Sequence, residues 1–195
     1  MIPTINQLLA LPFALKIATK DWHPTGHISF AANHPGKQPF VDFVTVVNPS
    51  NADESYSSRL WPVHCVQDTA GAALVPELNT AAVDIIVEKG QDARVEMYSA
   101  FYDPLQRPRV SDSGLAARLK AKMVTDVYLV GLAGDYCVRS TAEDAKSEGF
   151  AVWIVEDGTR PVDPALWEQT KAEIRAAGVH VISSDSPEVR RLTAG

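Results

Sequence analysis

Residues 126–138 read DVYLVGLAGDYCV, an apolar run rich in β-branched residues that leads into small residues and then a cysteine. The run over 126–130 predicts a buried strand, the small residues at 131–134 predict a tight turn, and residues 136–148 predict a helix. Strand, turn and helix in that order form the repeating unit of α/β folds. This stretch therefore predicts an α/β domain.

The same alternation continues on both sides of this stretch. Further strands are predicted over residues 14–19, 84–87, 151–155 and 179–183, and further helices over residues 4–10, 113–123 and 164–177. Because the strand runs are continuously apolar rather than alternating, we expect a parallel sheet with helices over both faces. Residues 21–60 are rich in Pro, Gly, Asn, Ser and His and show no sustained period, so they predict a long loop.

Length and charge restrict the class of protein. The chain has 195 residues, which we interpret as one domain spanning residues 1–195. The net charge is −6 and no run of basic residues stands out, so nucleic acid is not an expected partner. The apolar runs are far shorter than the roughly 20 residues that cross a bilayer, and two cysteines are too few for a disulfide scaffold. We therefore expect a soluble, cytoplasmic protein that does not bind membranes.

Asp21 and His23 come directly after the first predicted strand, where α/β proteins place their ligand-binding loops. An Asp and a His at this spacing can point to the same side of an extended segment. One more imidazole from a distant loop, such as that of His64, would complete a metal site of one carboxylate and two imidazoles. The spacing alone leaves an alternative open, in which Asp21 caps a turn and the histidines lie on a polar surface.

Lys89 and Cys137 follow two other predicted strands. Cys137 falls at the start of a predicted helix, where backbone N–H groups and the helix dipole lower the pKa of a thiol and can hold an oxyanion. Lys89, predicted at the same edge of the sheet, would have a functional role only if it lay beside such a nucleophile. The alternatives are a solvated lysine and a small buried cysteine, and for Cys65 we expect only a packing role.

Together these segments resemble the nicotinamidases of the isochorismatase-like cysteine hydrolase superfamily. The resemblance rests on six motifs in the order that this family shows: ATKDWHPTGHISFAANH from residue 18, LWPVHCVQDTAGAAL from residue 60, VEKG from residue 87, YSAFYD from residue 98, VGLAGDYCV from residue 130 and DGTRPVD from residue 157. It implies a parallel sheet flanked by helices. This agrees with the fold class that the periodicity predicts.

The resemblance also implies roles for individual residues. The implied metal ligands, for a divalent cation that is commonly zinc, are Asp21, His23 and His64, with His27 as a further neighbour. The implied catalytic residues are Cys137 as nucleophile and Lys89. The implied oxyanion donors are the amides of Ala133 and Cys137, next to a cis peptide at Leu132–Ala133, and the implied pocket residues for nicotinamide are Trp61, Tyr98 and Tyr136. Each of these roles is an expectation from the family.

The implied reaction is hydrolysis of nicotinamide to nicotinate and ammonia through a cysteine thioester. The alternatives are a related hydrolase of another small amide and a noncatalytic form that binds metal and ligand. The family places a triad Asp on a first strand, in a D-x-Q-N-D-F motif, but no Asp or Glu precedes Asp21 in this chain. We therefore expect that this first strand is missing here. A homo-oligomer is compatible with the resemblance.

Overall fold

The computed structural model describes residues 1–193. Its helices are α1 (Ile2–Leu9), α2 (Leu115–Ala121), α3 (Arg139–Ser147), α4 (Trp167–Ala176) and α5 (Pro187–Arg190). Its strands are β1 (Ile17–Asp21), β2 (Phe43–Asn48), β3 (Asn51–Arg59), β4 (Ile85–Lys89), β5 (Asp126–Leu132), β6 (Ala151–Arg160) and β7 (His180–Ile182). From α2 onward helices and strands alternate strictly. The predicted α/β class is confirmed.

The strands lie in three sheets. β5, β6 and β7 form a parallel sheet in that order, β1 pairs with β4, and β2 pairs antiparallel with β3. Within residues 1–193, β1 and β5 each have one hydrogen-bonded neighbour strand, so each has one open edge. The open edge explains why residues 127–131 of β5 are only half-buried, although their apolar run predicts a strand covered on both faces.

The prediction of one long loop over residues 21–60 is wrong for its second half, which contains the β2–β3 hairpin. In β2 the side chains of Val44 and Val46 point inward, whereas those of Phe43 and Val47 are exposed. This alternation is typical of a strand with one buried face. It extends over only six residues, which is why the surrounding polar residues hide it in the sequence.

Chain reversals after α2, α3 and α4 share one backbone geometry. Just beyond each helix lies one residue with positive φ: Met123 (φ 53°), Gly149 (φ 96°) and Gly178 (φ 81°). The backbone amide of the residue that follows it donates a hydrogen bond to the carbonyl oxygen of the residue five positions before that amide. This is the Schellman arrangement, in which glycine is favoured because it has no Cβ. Met123 is the unfavourable member of the set, and its side chain is 85% exposed.

Replacing Met123 with glycine is therefore expected to stabilise the protein by about 1 kcal/mol, since the left-handed conformation costs an L-residue about 1–2 kcal/mol. Urea unfolding checks the free energy. The matched control is Lys122→Gly, one residue earlier at φ −90°, where glycine is expected to destabilise α2. If both substitutions changed the free energy of unfolding equally, backbone strain at Met123 would be contradicted.

The chain folds into two compact units. The first unit comprises Met1–Ala18, Val75–Ile85 and the chain from Gly114 onward, and the second comprises Thr19–Leu74 and Ile86–Ser113. The first unit packs Leu8, Val155 and Val189 together, and the second packs Val46, Val95 and Leu105. The single domain expected from the length stays a prediction. Within residues 1–193, the helices are all too short or too polar to span a membrane.

Candidate active site

The carboxyl end of β1 carries the first two predicted metal ligands. Asp21 is the last residue of β1, and His23 forms a parallel bridge with Val66, which brings the segment that contains His64 alongside. The Oδ2 atom of Asp21 lies 4.0 Å from Nε2 of His23 and 3.9 Å from Nε2 of His64. Ligand atoms of all three side chains lie within 4.8 Å of one another. The structure thus brings together the three residues that the sequence singled out.

Backbone carbonyls orient both imidazoles of this cluster. Nδ1 of His23 lies 2.8 Å from the carbonyl oxygen of Gly90, and Nδ1 of His64 lies 2.8 Å from that of Pro62. Because a carbonyl oxygen only accepts, each Nδ1 carries a proton, and in the neutral imidazole each Nε2 then presents a lone pair. Burial lowers the pKa of His23, which favours this neutral form. Such second partners are typical of histidines that bind metals.

Lys89 completes the electrostatics of the site. Its Nζ lies 2.5 Å from Oδ1 of Asp21 and donates to the carbonyl oxygen of Met97 at 3.1 Å, and its side chain is only 4% exposed. Burial is the largest single effect on Asp21 and by itself raises its pKa, but the charge and hydrogen bond of Lys89, together with His23 and His64, outweigh it, so the pKa of this carboxyl is lowered. Asp21 is therefore an anion at neutral pH. The lysine predicted at this edge of the sheet lies in contact with it.

Gly90 allows the close approach of His23. A Cβ at this position would lie 2.4 Å from Cε1 of the His23 ring, and the φ of Gly90 is +68°. Replacing Gly90 with alanine is expected to displace the imidazole and to weaken zinc binding by about 10- to 100-fold, the usual cost of losing an outer partner of a ligand. Gly36→Ala is the matched control, since Gly36 has φ +78° but no neighbour within 4 Å. Calorimetric zinc titration checks this, and equal affinities of the two variants would contradict it.

A second, fully buried cluster lies behind His23. The rings of His23 and His27 are 4.0 Å apart, Nδ1 of His27 lies 2.8 Å from Oγ of Ser29, and Glu96 accepts from the Met97 amide at 2.9 Å. Ligand atoms of His23, His27 and Glu96 also lie within 4.8 Å of one another. Burial lowers the pKa of His27 to about 3 and raises that of Glu96 to about 7. The His27 imidazole is therefore uncharged at neutral pH, and it packs against the ring of His23.

Sequence reasoning missed Glu96 altogether. Its only local signal is a carboxylate between two buried apolar residues, Val95 and Met97. A charged residue inside a buried apolar segment needs partners, and this need points to a role in a site. The partners themselves come from another part of the chain, so the sequence pattern could not reveal them.

Trp61 and Tyr98, both predicted to line the nicotinamide pocket, contact each other. The indole Nε1 of Trp61 donates to the hydroxyl of Tyr98 at 2.8 Å, and the two rings are nearly perpendicular. The Ser58 hydroxyl lies 3.2 Å from the same Tyr98 oxygen. Both residues are half-buried, so part of the apolar surface of each side chain remains accessible to solvent.

Cys137 lies in a wide helical turn, Gly134–Val138, between β5 and α3. The carbonyl oxygen of Ala133 accepts from the amides of Tyr136 and Val138 at 3.1 and 3.0 Å, and the Leu132–Ala133 peptide is cis, as the resemblance implied. α3 begins two residues after Cys137. The sequence therefore correctly predicted a cysteine at the entry to a helix.

The predicted site residues fall into two groups by compact unit. The second unit holds the cluster residues and the aromatic pair: Asp21, His23, Trp61, His64, Lys89 and Tyr98. The first unit holds the residues of the nucleophile turn: Ala133, Tyr136 and Cys137. Each group is assembled within its own unit.

Comparison with known proteins gives the family. The profile of the isochorismatase domain matches residues 30–186, which is most of the chain. The chain belongs to the isochorismatase family. It is also 39% identical over 185 residues to a nicotinamidase of Acinetobacter baylyi, a match that covers 94% of this chain and 81% of the relative.

Two solved structures are also similar to this chain. A yeast nicotinamidase bound to the inhibitor nicotinaldehyde has a TM-score of 0.80 and 34% identity, covering 88% of this chain and 80% of that one. The pyrazinamidase of Pyrococcus horikoshii in complex with zinc has a TM-score of 0.69 and 31% identity, covering 93% and 84%. The isochorismatase-like fold predicted from the sequence is confirmed.

Proposed function

We propose that this protein is a nicotinamidase, which hydrolyses nicotinamide to nicotinate and ammonia. The observation that carries the proposal is the convergence of Asp21, His23 and His64 next to the buried Lys89. The similarity to nicotinamidases over more than nine-tenths of the chain supports it. A cytoplasmic location is part of the proposal and rests on the low cysteine content.

The donor set of the first cluster fits a divalent cation, which we take to be zinc. One carboxylate oxygen and two neutral imidazole nitrogens are ligands that zinc prefers, and three protein ligands leave positions for small molecules. The zinc-bound pyrazinamidase supports this choice of metal. When bound, the cation supplies a Lewis acid that attracts the pyridine nitrogen of the substrate and water. Asp21, His23 and His64 would hold it.

Cys137 is the proposed nucleophile. Its thiolate sulfur bonds to the carboxamide carbon, the oxygen becomes an oxyanion held by the amides of Ala133 and Cys137, and the C–N bond then breaks. The leaving nitrogen takes a proton from water and departs as ammonia, and a thioester remains. Water then attacks the thioester carbon, the C–S bond breaks, and nicotinate is released. The family resemblance is what assigns Lys89 the role of stabilising this thiolate by its positive charge.

The proton that leaves with ammonia needs a carrier, and two of the acidic groups near the two sites, Asp135 and Asp21, are already engaged. Both carboxylate oxygens of Asp135 accept backbone amides, from Val162 at 2.8 Å and Asp163 at 2.9 Å. Asp21 is paired with Lys89. Neither carboxylate is therefore placed to shuttle a proton, so the triad Asp of the family has no substitute in these two groups.

Joining a relative's first strand, with its Asp, ahead of residue 1 is expected to raise turnover by about 10²- to 10⁴-fold, the usual contribution of a positioned acid or base. The strand would also pair with an open edge, so the melting temperature should rise with activity. The same strand with Asp replaced by Asn is the control, because it restores pairing without the acid. Equal turnover of the chain with and without the Asp-bearing strand would contradict this prediction.

Ammonia release from nicotinamide, measured together with zinc content, tests the proposed function. Release of ammonia and nicotinate by the zinc-loaded protein supports a nicotinamidase. Hydrolysis of other small amides but not of nicotinamide would indicate a related hydrolase. Zinc and nicotinate binding without hydrolysis would indicate a noncatalytic binding form.

A further inference from the structure

Phe40 is an aromatic residue that sequence reasoning did not select. Its ring lies perpendicular to the indole of Trp61, with the ring centroids 5.6 Å apart. The ring is 46% exposed, so part of it faces solvent beside Trp61. Edge-to-face pairs at this distance are attractive and directional. The indole of Trp61 is therefore in contact with Phe40 in addition to Tyr98.

The backbone of Phe40 is strained, with φ at +65°. This left-handed region is unfavourable for a bulky side chain, and such residues persist where the surrounding structure holds them. Here the Phe40 amide donates to the carbonyl oxygen of Leu60 at 2.7 Å, and the Leu60 amide donates to the carbonyl oxygen of Asp42 at 2.9 Å. These bonds fasten the turn that carries Phe40 to the residue that precedes Trp61.

Tyr98 and Phe40 consequently both hold the indole of Trp61. Tyr98 fixes the polar edge through its hydroxyl, and Phe40 contacts the ring as a perpendicular neighbour. An indole fixed in this way presents a flat apolar surface of constant orientation. A flat surface of this kind favours binding of planar aromatic ligands, whereas a puckered ring makes fewer contacts with it and binds more weakly.

We infer that Phe40 is a specificity-determining positioning residue, which fixes the Trp61 indole so that the site selects planar aromatic amides. The inference rests on the proposed function and on the assignment of Trp61 to the substrate pocket. Phe40 acts through Trp61 and takes no part in bond making. Its removal should therefore weaken substrate binding and leave the chemical step unchanged.

The test compares Phe40→Ala, Phe40→Gly and Phe40→Tyr in the zinc-loaded protein. KM for nicotinamide and the calorimetric Kd for nicotinate are expected to rise about tenfold in the first two variants, with kcat within about twofold of the parent. Phe40→Tyr keeps the ring and should retain the parental values. Phe43→Ala is the matched control, since Phe43 is another exposed phenylalanine and should leave KM unchanged.

The alanine and glycine variants separate positioning from folding. Both lose the ring, but glycine relieves the left-handed strain, so Phe40→Gly should be the more stable of the two. If Phe40→Ala and Phe40→Gly have equally raised KM values but different stabilities, the result supports a role of the Phe40 ring in positioning Trp61. A KM that follows stability, or that does not change in either variant, would overturn the inference.

Nicotinate binding keeps this test distinct from that of the proposed function. If the parent binds nicotinate without hydrolysing nicotinamide, the proposed function fails, while the Kd series still decides the role of Phe40. If the parent hydrolyses nicotinamide and the Phe40 variants behave like it, only the inference fails. A parent that neither hydrolyses nicotinamide nor binds nicotinate would overturn both.

Discussion

In the chain joined to a relative's first strand and its Asp, replacing Cys137 with alanine is expected to lower kcat for nicotinamide hydrolysis on the order of 10⁶-fold, the scale seen when a hydrolase loses its nucleophile. The physical reason is that no covalent acyl intermediate can form without the sulfur, so that the reaction returns to direct attack by water. Ammonia release in a coupled assay measures the loss. Zinc content should stay at the parental value, because the candidate ligands lie elsewhere in the chain.

Cys65→Ala is the matched control for this prediction, because Cys65 is the other cysteine of the chain. Burial raises the pKa of the Cys65 thiol, and the nearby Asp21 carboxylate adds to the effect. Less thiolate is therefore present at neutral pH, and Cys65 should react slowly with iodoacetamide while Cys137 reacts well below about pH 8.5. Mass spectrometry of the alkylated peptides distinguishes the two. Faster alkylation of Cys65, or full activity of Cys137→Ala, would show that the nucleophile is misplaced.

Replacing His64 with alanine is expected to weaken zinc binding by more than about 100-fold. Loss of a residue that only hydrogen-bonds to a metal ligand already costs about 10- to 100-fold, and loss of the ligand itself should cost more. Two remaining protein ligands rarely hold zinc against solvent. His64 is also the most exposed member of the cluster, with a side chain 33% accessible, so its removal should disturb packing little. Elemental analysis after dialysis gives the metal content, and hydrolysis should fall in proportion.

Two further histidine variants make the result specific. His180→Ala removes an exposed imidazole that stacks on Trp153, and it should keep the parental metal content. His27→Ala should lower metal content much less than His64→Ala, because His27 lies behind His23 rather than beside Asp21. Stoichiometric zinc in His64→Ala would exclude His64 as a ligand.

Local patterns predicted much of this molecule. The apolar runs correctly indicated β1, β4, β5, β6 and β7, and the boundaries differ by only a few residues except at the end of β6. The Asp-x-His spacing and the cysteine after a strand and a turn were both readable without a structure. These features depend on neighbours along the chain, through backbone geometry and side-chain periodicity, and such neighbours are fixed by the order of residues.

Contacts between distant segments decided the rest. The sequence predicted Lys89 near a nucleophile, yet its contact with Asp21 at 2.5 Å depends on the pairing of β1 with β4. Glu96 carried only a weak local signal and Phe40 carried none, because their significance comes from His27 and Trp61, which other segments supply.

The amino-acid sequence by itself thus determined the α/β class, the family motifs and the chemical types of the candidate site residues. The tertiary structure alone decided which nitrogen of His23 and His64 faces Asp21, because the Gly90 and Pro62 carbonyls select it. It also decided that Glu96 is buried beside two imidazoles and that a strained Phe40 contacts Trp61. The physical reason is that burial and hydrogen-bond geometry depend on groups that are close in space, and only folding brings those groups together.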